Sequence, residues 1–263
     1  MGKAVSAAAL PDGGFGVELA DGDPVRARRL LVTTGLVDEL PDVPGVRERW
    51  GRDVILCPYC QGWEIRDQAM VVLGSGPLAV HQALMFRQWT DDLTLLLHTA
   101  PEPKPEEMEQ LTARGTTVVT GEAAGLVVAD DRLTGVRLAT GELIAAQVLV
   151  VGPRFVASDG VLASLGLAAA EHPTGMGTHV LADSTGRTAV PGVWVAGNVA
   201  DLAAGIVAAA AAGSWAAAQI NADLTAEDTA LAVAERARSQ GGQPDPAPQA
   251  RTPEIRPAPA AAR

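Results

Sequence analysis

Short, uninterrupted apolar runs recur along this chain, and between them the pattern switches to helical spacing. Ala69 to Leu73 is one such run, reading as a buried strand. Pro77 to Trp89 follows as a predicted helix, with Pro77 suited to its first turn and Leu78, Ala79, Ala83, Leu84 and Phe86 supplying apolar surface. Asp91-Asp92 then leads into a second strand, Leu93 to Leu97. A helix near Glu106 to Arg114 and a strand over Thr116 to Thr120 come next. Strands alternating with helices predict an α/β fold built on a parallel sheet.

A different pattern appears twice. Gly16-Val17-Glu18-Leu19-Ala20-Asp21-Gly22 passes through Arg26 to Arg29 into Leu30-Leu31-Val32-Thr33-Thr34-Gly35. Gly135-Val136-Arg137-Leu138-Ala139-Thr140-Gly141 passes through Ala145 to Val148 into Leu149-Val150-Val151-Gly152. Each reads as a small β-meander around Asp/Gly turns that returns the chain to a buried parallel strand. Two related nucleotide-binding units are the expectation, the second with its full complement of strands and helices and the first with only the N-terminus ahead of its meander. The uncharged span Leu202 to Ala222 is mostly Ala and Gly with Ser214, Trp215, Gln219 and Asn221, which predicts a buried helix rather than a membrane span. Leu224 to Arg238 is expected to form a final helix. Residues 239–263, rich in Pro, Ala and Gln, are expected to be a disordered tail.

Composition narrows the classes. The 263 residues allow one or two domains with real cores, and the formal charge of −11 disfavours nucleic acid or an anionic membrane as a partner. The opening Met1-Gly2-Lys3-Ala4-Val5-Ser6 matches a short myristoylation pattern but reads better as the start of a strand. With 2 cysteines, a structural disulfide framework is not expected, and a reducing, cytoplasmic setting suits a catalytic pair.

Those cysteines stand as Cys57-Pro58-Tyr59-Cys60. Such a spacing lets two sulfurs close a small ring, and the first thiol of such a pair is often acidified enough to act as a nucleophile. The fixed φ of Pro58 favours the turn that brings them together. A zinc site would need His81, His98, His172 or His179, whose spacings match no finger or ribbon, so no metal is expected. Two unpaired buried cysteines are the plainer alternative, and a glutaredoxin-like carrier a further one. Trp63 and Glu64 lie close enough to shape access to the pair, although an aromatic beside a turn more often serves packing. His172 and His179 are assigned no role.

Shortly after the pair comes Gly74-Ser75-Gly76-Pro77-Leu78-Ala79, between the first predicted strand and helix. In that setting Gly74 makes the tight turn, Gly76 lets backbone approach a pyrophosphate and Ala79 allows close packing of helix on sheet. At the end of the next strand, NAD sites carry an acid and NADP sites a nearby arginine. His98-Thr99 occupies that place, so the residues fit NAD and NADP alike.

Together these residues resemble the low-molecular-weight thioredoxin reductases. The likeness rests on Thr33-Thr34-Gly35, Leu40-Pro41-Asp42-Val43-Pro44-Gly45, Cys57-Pro58-Tyr59-Cys60-Gln61-Gly62-Trp63-Glu64, the glycine turn, and Pro191-Gly192-Val193-Trp194-Val195-Ala196-Gly197-Asn198. It looks closest to the group that includes dithiol oxidases of the gliotoxin and holomycin kind, and it spans roughly residues 1–225. The resemblance implies two Rossmann-like domains: a split FAD-binding domain over 1–47 and 155–225, lacking its first βαβ unit, and an inserted NAD(P)-binding domain over 53–152. The linkers are expected near Pro44 to Asp53 and Gly152 to Val156.

Carried over by position, the resemblance makes Cys60 the sulfur facing the flavin and Cys57 the one attacking a partner disulfide. It assigns Gly74, Ser75, Gly76, Pro77, Ala79 and His98 to NAD or NADP, and Thr34, Gly35, Gly197 and Asn198 to FAD. It implies a flavin-dependent disulfide oxidoreductase acting on a small redox protein or low-molecular-weight thiol or disulfide, with an oxygen-using dithiol oxidase as an alternative, and a homodimer. Several departures point to an impaired flavin cradle, with a residual nucleotide-binding protein as the alternative. Gln61 stands where reductases place an aspartate and the oxidases a histidine, and a neutral amide exchanges no proton. Asn198 replaces an aspartate, and Ala203 and Gly205 stand where relatives place Arg and Gln.

Overall fold

Strands that are buried along nearly their whole length form only where both faces of a sheet are covered, and three neighbouring segments of this chain come close to that condition. In the computed structural model, which describes residues 2–240, Met70–Leu73, Leu93–Leu96 and Val148–Val151 sit side by side in one parallel sheet with almost every residue buried.

The chain reaches that sheet through a smaller lobe. The first meander is β1 (Ala4–Ala9), β2 (Phe15–Leu19) and β3 (Val25–Ala27), paired antiparallel in that order, and it feeds β4 (Leu30–Val32). Next comes β5 (Leu36–Glu39), then the short helix α1 (Val46–Arg49) and β6 (Val54–Ile55). The cysteine segment follows as α2 (Pro58–Ile65), leading to β7 (Met70–Leu73), α3 (Ala79–Phe86), β8 (Leu93–Leu96), α4 (Pro105–Ala113) and β9 (Thr117–Val119). The second meander is β10 (Ala123–Ala129), β11 (Arg132–Leu138) and β12 (Leu143–Ala145), which feeds β13 (Val148–Val151). The two meanders thus repeat in structure as they do in sequence.

The five-stranded sheet runs β6-β13-β7-β8-β9, parallel throughout. One face packs on the second meander through Val71, Leu73, Leu96, Val136, Leu138 and Leu149. The other packs on the helices through Val72, Ala83, Phe86, Leu95, Leu111 and Val150. Alternate residues of each strand serve opposite cores, so neither register nor direction can slip without exposing a full apolar face.

After β13 the chain returns as β14 (Arg154–Ala157), antiparallel to β5, so these two segments form one ribbon. Arg154 ties it to Glu171 at 2.5 Å and reaches Glu39 at 3.7 Å. Then come α5 (Gly160–Ala163), the hairpin strands β15 (Ala170–Glu171) and β16 (Thr178–His179), and β17 (Val193–Val195), which pairs in parallel with β4. At Gly177 a Cβ would stand 1.8 Å from the carbonyl oxygen of Phe155, so only glycine lets hairpin and ribbon meet.

The last element, α6 (Ile206–Gln240), corrects two expectations. The spans predicted as separate helices are one, because Asp223 and Leu224 interrupt no helical spacing. Its apolar start is also not buried: Ile206 is 90% and Val207 83% exposed, and among residues 206–239 Ala216 alone is buried. The reason lies in the sheet of this lobe, since β4 and β17 make a layer two strands wide, too narrow to cover a helix face. The chain divides at this helix into two units, residues 1–216 and 217–263. Ser239 and Gln240 belong to α6, and the rest of the expected tail lies outside the described residues. Among the described residues no helix is long and apolar enough to cross a membrane.

Candidate active site

Parallel strands deliver everything that follows them to one edge. β6 and β7 flank β13, with Ile55 level with Val150 and Val150 level with Val72. Cys57 lies two residues beyond Ile55 and Gly74 two residues beyond Val72. The cysteine pair and the glycine turn therefore stand at the same height on the carboxyl edge of the sheet, about 10 Å apart, the width of two strand spacings. This edge is where open α/β sheets bind ligands.

Cys57 is the N-cap residue of α2 and accepts a hydrogen bond from the Gln61 N–H at its carbonyl, while Pro58 takes the first helical position, where its missing N–H costs nothing. Both cysteines are thiols, Cys57 half-buried and Cys60 exposed. Hydrogen bonding to Cys57, together with partial burial and the charge of the Cys57 sulfur, pushes the Cys60 thiol up. Replacing Cys57 with alanine removes the chief cause, so the pH midpoint for alkylating Cys60 is expected to fall, as a rate-versus-pH profile would show.

At about 100° per residue, Pro58, Gly62 and Ile65 share one side of α2 and are its buried residues. Tyr59, Cys60, Trp63 and Glu64 share the other and are exposed. Trp63 therefore does not serve packing, contrary to the expectation for an aromatic beside a turn. Gly62 does. A Cβ there would lie 2.2 Å from the Trp89 ring, so helix and indole touch only because residue 62 has no side chain.

The glycine turn is held on both sides. Gly74 donates its N–H to Leu96 O at 2.7 Å and accepts from Thr99 and Ala100, leaving a Cβ only 2.9 Å from Leu96 O. Gly74 is thus required by the close approach of β8. Ser75 Oγ donates to Gly152 O at 3.1 Å, bridging the ends of β7 and β13, where the order of connections reverses. A Cβ on Gly76 would meet nothing within 4 Å, which is the open approach a pyrophosphate needs. Ala79 is buried against the sheet. Pro77 departs from expectation: the helix starts at Ala79, whose N–H turns back to Gly76 O, so Pro77 lies in the preceding turn and offers no donor. His98 sits at the end of β8 with φ of 28°, and its Nδ1 accepts the Ala123 N–H at 3.1 Å, tying the strand end to the second meander. Pro77 apart, the residues present fit a nicotinamide nucleotide.

The remaining four site residues form a second group. Thr34-Gly35 follows β4 and Gly197-Asn198 follows β17, again at neighbouring carboxyl ends. A Cβ on Gly35 would be 3.2 Å from Asn198 Oδ1, and both glycines have positive φ, 73° and 83°. Thr34 Oγ1 donates to Ser158 O at 2.6 Å. Such backbone fits one wall of an FAD site, on a layer of two strands.

One cluster was not anticipated. Arg49 is buried and donates to both carboxylate oxygens of Asp53, Nε at 2.7 Å, and to the Asp131 carboxylate and carbonyl at 2.8 Å. Asp53 also accepts the Leu133 N–H, so the segment entering the large sheet is fastened to the β10–β11 turn. The only trace in the sequence is the Arg49/Asp53 spacing of four.

A model of the pyridine nucleotide-disulphide oxidoreductase family matches residues 6–239. The chain belongs to this family. Its α/β architecture is that of the family, whose members use FAD and NAD(P)H. Among solved structures, the pyridine nucleotide-disulphide oxidoreductase chain is similar to HlmI, with 43% identity and a TM-score of 0.80 over 90% of this chain and 74% of HlmI. An oxidoreductase from Agrobacterium tumefaciens is 31% identical with a TM-score of 0.76, over 85% and 73% of the two chains. Thioredoxin reductase tcpT of Claviceps purpurea is 41% identical over 70 residues, which are 26% of this chain and 22% of that protein. The matches to the first curated relatives span 12%, 22% and 37% of those proteins' lengths.

Proposed function

We propose that this chain exchanges two electrons between a thiol or disulfide substrate and its Cys57–Cys60 pair, as a flavin-dependent disulfide oxidoreductase of the thioredoxin reductase kind. The observation that carries this reading is the placement of a dithiol and a nucleotide turn on one sheet edge, two strands apart. In the reducing direction Cys57 Sγ attacks a substrate disulfide, expelling one thiolate. Cys60 Sγ then attacks Cys57 Sγ, releasing the second thiolate and leaving a Cys57–Cys60 disulfide. FAD, when bound at Thr34, Gly35, Gly197 and Asn198, supplies the redox link between that pair and a nicotinamide nucleotide. Gly74 and Gly76 hold backbone open to the nucleotide's pyrophosphate, and Ser75 braces the turn against Gly152. Gln61 at the pair is a neutral amide that cannot act as acid or base for turnover, which leaves proton release to solvent at exposed Cys60. The substrate is a small redox protein or low-molecular-weight disulfide in the cytoplasm, and the working form is a homodimer.

A second reading, oxidation of a substrate dithiol with oxygen as the final acceptor, is favoured by Pro77. It removes one N–H from the nucleotide turn, while the Ala79 N–H is already bonded to Gly76 O. One experiment separates the two. The purified protein is mixed with FAD without oxygen, then with NADH, NADPH or dithiothreitol. Bleaching of bound flavin by a nicotinamide supports the reductase, bleaching by the dithiol alone supports the oxidase, and absence of bound flavin overturns both.

A further inference from the structure

The exposed face of α2 carries an arrangement that the redox reading leaves unused. This chain is poor in aromatic residues, with 5 Trp, 1 Tyr and 3 Phe in 263 positions. Two of these nine stand on one eight-residue helix, one turn apart, in solvent and beside an exposed thiol: Tyr59 is 83% exposed and Trp63 64%. Neither ring is loose. The Arg66 guanidinium lies over the Trp63 ring at 3.8 Å from its centroid and donates to the Trp63 carbonyl at 2.6 Å. The Tyr59 hydroxyl rests on Met85 Sδ of α3 at 3.7 Å. Arg66 thus covers one face of the indole, and the ring's exposure places the other in solvent. Cys60 and Trp63 are three apart on the helix, which sets their Cβ atoms roughly 5–6 Å from one another.

An exposed, propped aromatic ring loses little freedom when something stacks on it, so most of the stacking energy remains available for binding. The geometry points to Trp63, held by Arg66 and flanked by Tyr59, as the specificity-determining platform of the dithiol site, selecting substrates whose sulfur atoms are carried on a flat aromatic group. The spacing favours a small molecule over a protein loop: one ring laid on Trp63 brings its attached sulfur to the neighbouring Cys60 and Cys57. This inference rests on the reading of Cys57 and Cys60 as a redox pair.

The test needs neither flavin nor nicotinamide. The reduced full-length protein is reacted with two neutral disulfides, aromatic dithiodipyridine and aliphatic hydroxyethyl disulfide. In each case the two protein thiols become the Cys57–Cys60 disulfide and the probe becomes two thiols, so the electrons balance. Trp63→Ala is expected to slow the aromatic probe about fivefold and the aliphatic probe by far less, while Trp63→Phe keeps most of the aromatic rate. Arg66→Ala is expected to fall between, because the ring loses its prop. Equal slowing of both probes by Trp63→Ala, or no slowing of either, overturns the platform. A wild-type protein unreactive toward both overturns the redox pair and the platform with it.

Discussion

Gly62→Ala is expected to destabilise the protein by about 2 kcal/mol and to slow thiol–disulfide exchange at Cys57 about tenfold. Two effects oppose each other. Alanine is the better helix former by up to about 1 kcal/mol, which would stabilise α2 if the site were open. It is not open: the added carbon would meet Trp89 Cε2 at 2.2 Å and Nε1 at 2.5 Å, and the half-buried indole packs against the helix-side core. The gap is about 1.3 Å short of an ordinary carbon–carbon contact, so α2 must lift, carrying the cysteines with it. Displacements of that size at a reacting group are costly in rate. Urea unfolding checks the stability and the aliphatic disulfide reaction checks the rate. Trp89→Leu in the same chain should recover part of both, and a Gly62→Ala protein as stable as the parent would disprove the packing account.

Arg49→Leu carries the second large effect, about 3 kcal/mol of destabilisation. The arginine alone satisfies both carboxylate oxygens of Asp53 while holding the Asp131 turn, and its own side chain is 7% exposed. Removing it leaves Asp53 partly buried with the Leu133 N–H as its remaining partner. The same cluster sets a pH dependence. Burial by itself raises the Asp53 carboxyl, but the Arg49 hydrogen bonds and the Leu133 N–H outweigh it and hold the group below the usual carboxylate range. A lowered folded value means that the stabilisation is present above the unfolded value near ~4 and is lost as the pH falls through the folded one. In Arg49→Leu that acid-sensitive stabilisation is gone and burial is opposed only by backbone N–H groups, so the variant, weaker at neutral pH, should lose less stability than the parent as the pH falls. Urea midpoints between neutrality and acid pH measure both slopes, and coincident slopes would exclude the mechanism.

Much of this was legible beforehand, for identifiable reasons. The runs at Ala69 to Leu73 and Leu149 to Val151 are apolar at every position, and only a strand covered on both faces accepts that. The repeat of Asp/Gly turns announced both meanders because each turn needs residues that tolerate its backbone. The cysteine spacing and the glycine turn were readable, and so was the grouping of Gly35 with Asn198 through their likeness to a family pattern. What stayed hidden depended on partners distant in sequence. The absence of charge in Leu202 to Ala222 suggested burial, yet burial is decided by the width of the sheet beneath, and β4 finds β17 alone beside it. Pro77 is compatible with either a first helical turn or the turn before it. Gly62 looks like a neutral spacer until Trp89, far along the chain, is seen against it. Trp63 reads as core or surface according to which side of an eight-residue helix faces the sheet, a choice settled by Pro58, Gly62 and Ile65.

The outward side of α2 touches little beyond itself, while the inward side fixes the cysteines to the sheet. Substitutions at Tyr59, Trp63, Glu64 and Arg66 therefore fall among exposed positions, where most changes cost a folded protein little. A lineage carrying this scaffold is free to trade one substrate for another there, keeping its dithiol and its nucleotide turn unaltered while chemical taste drifts.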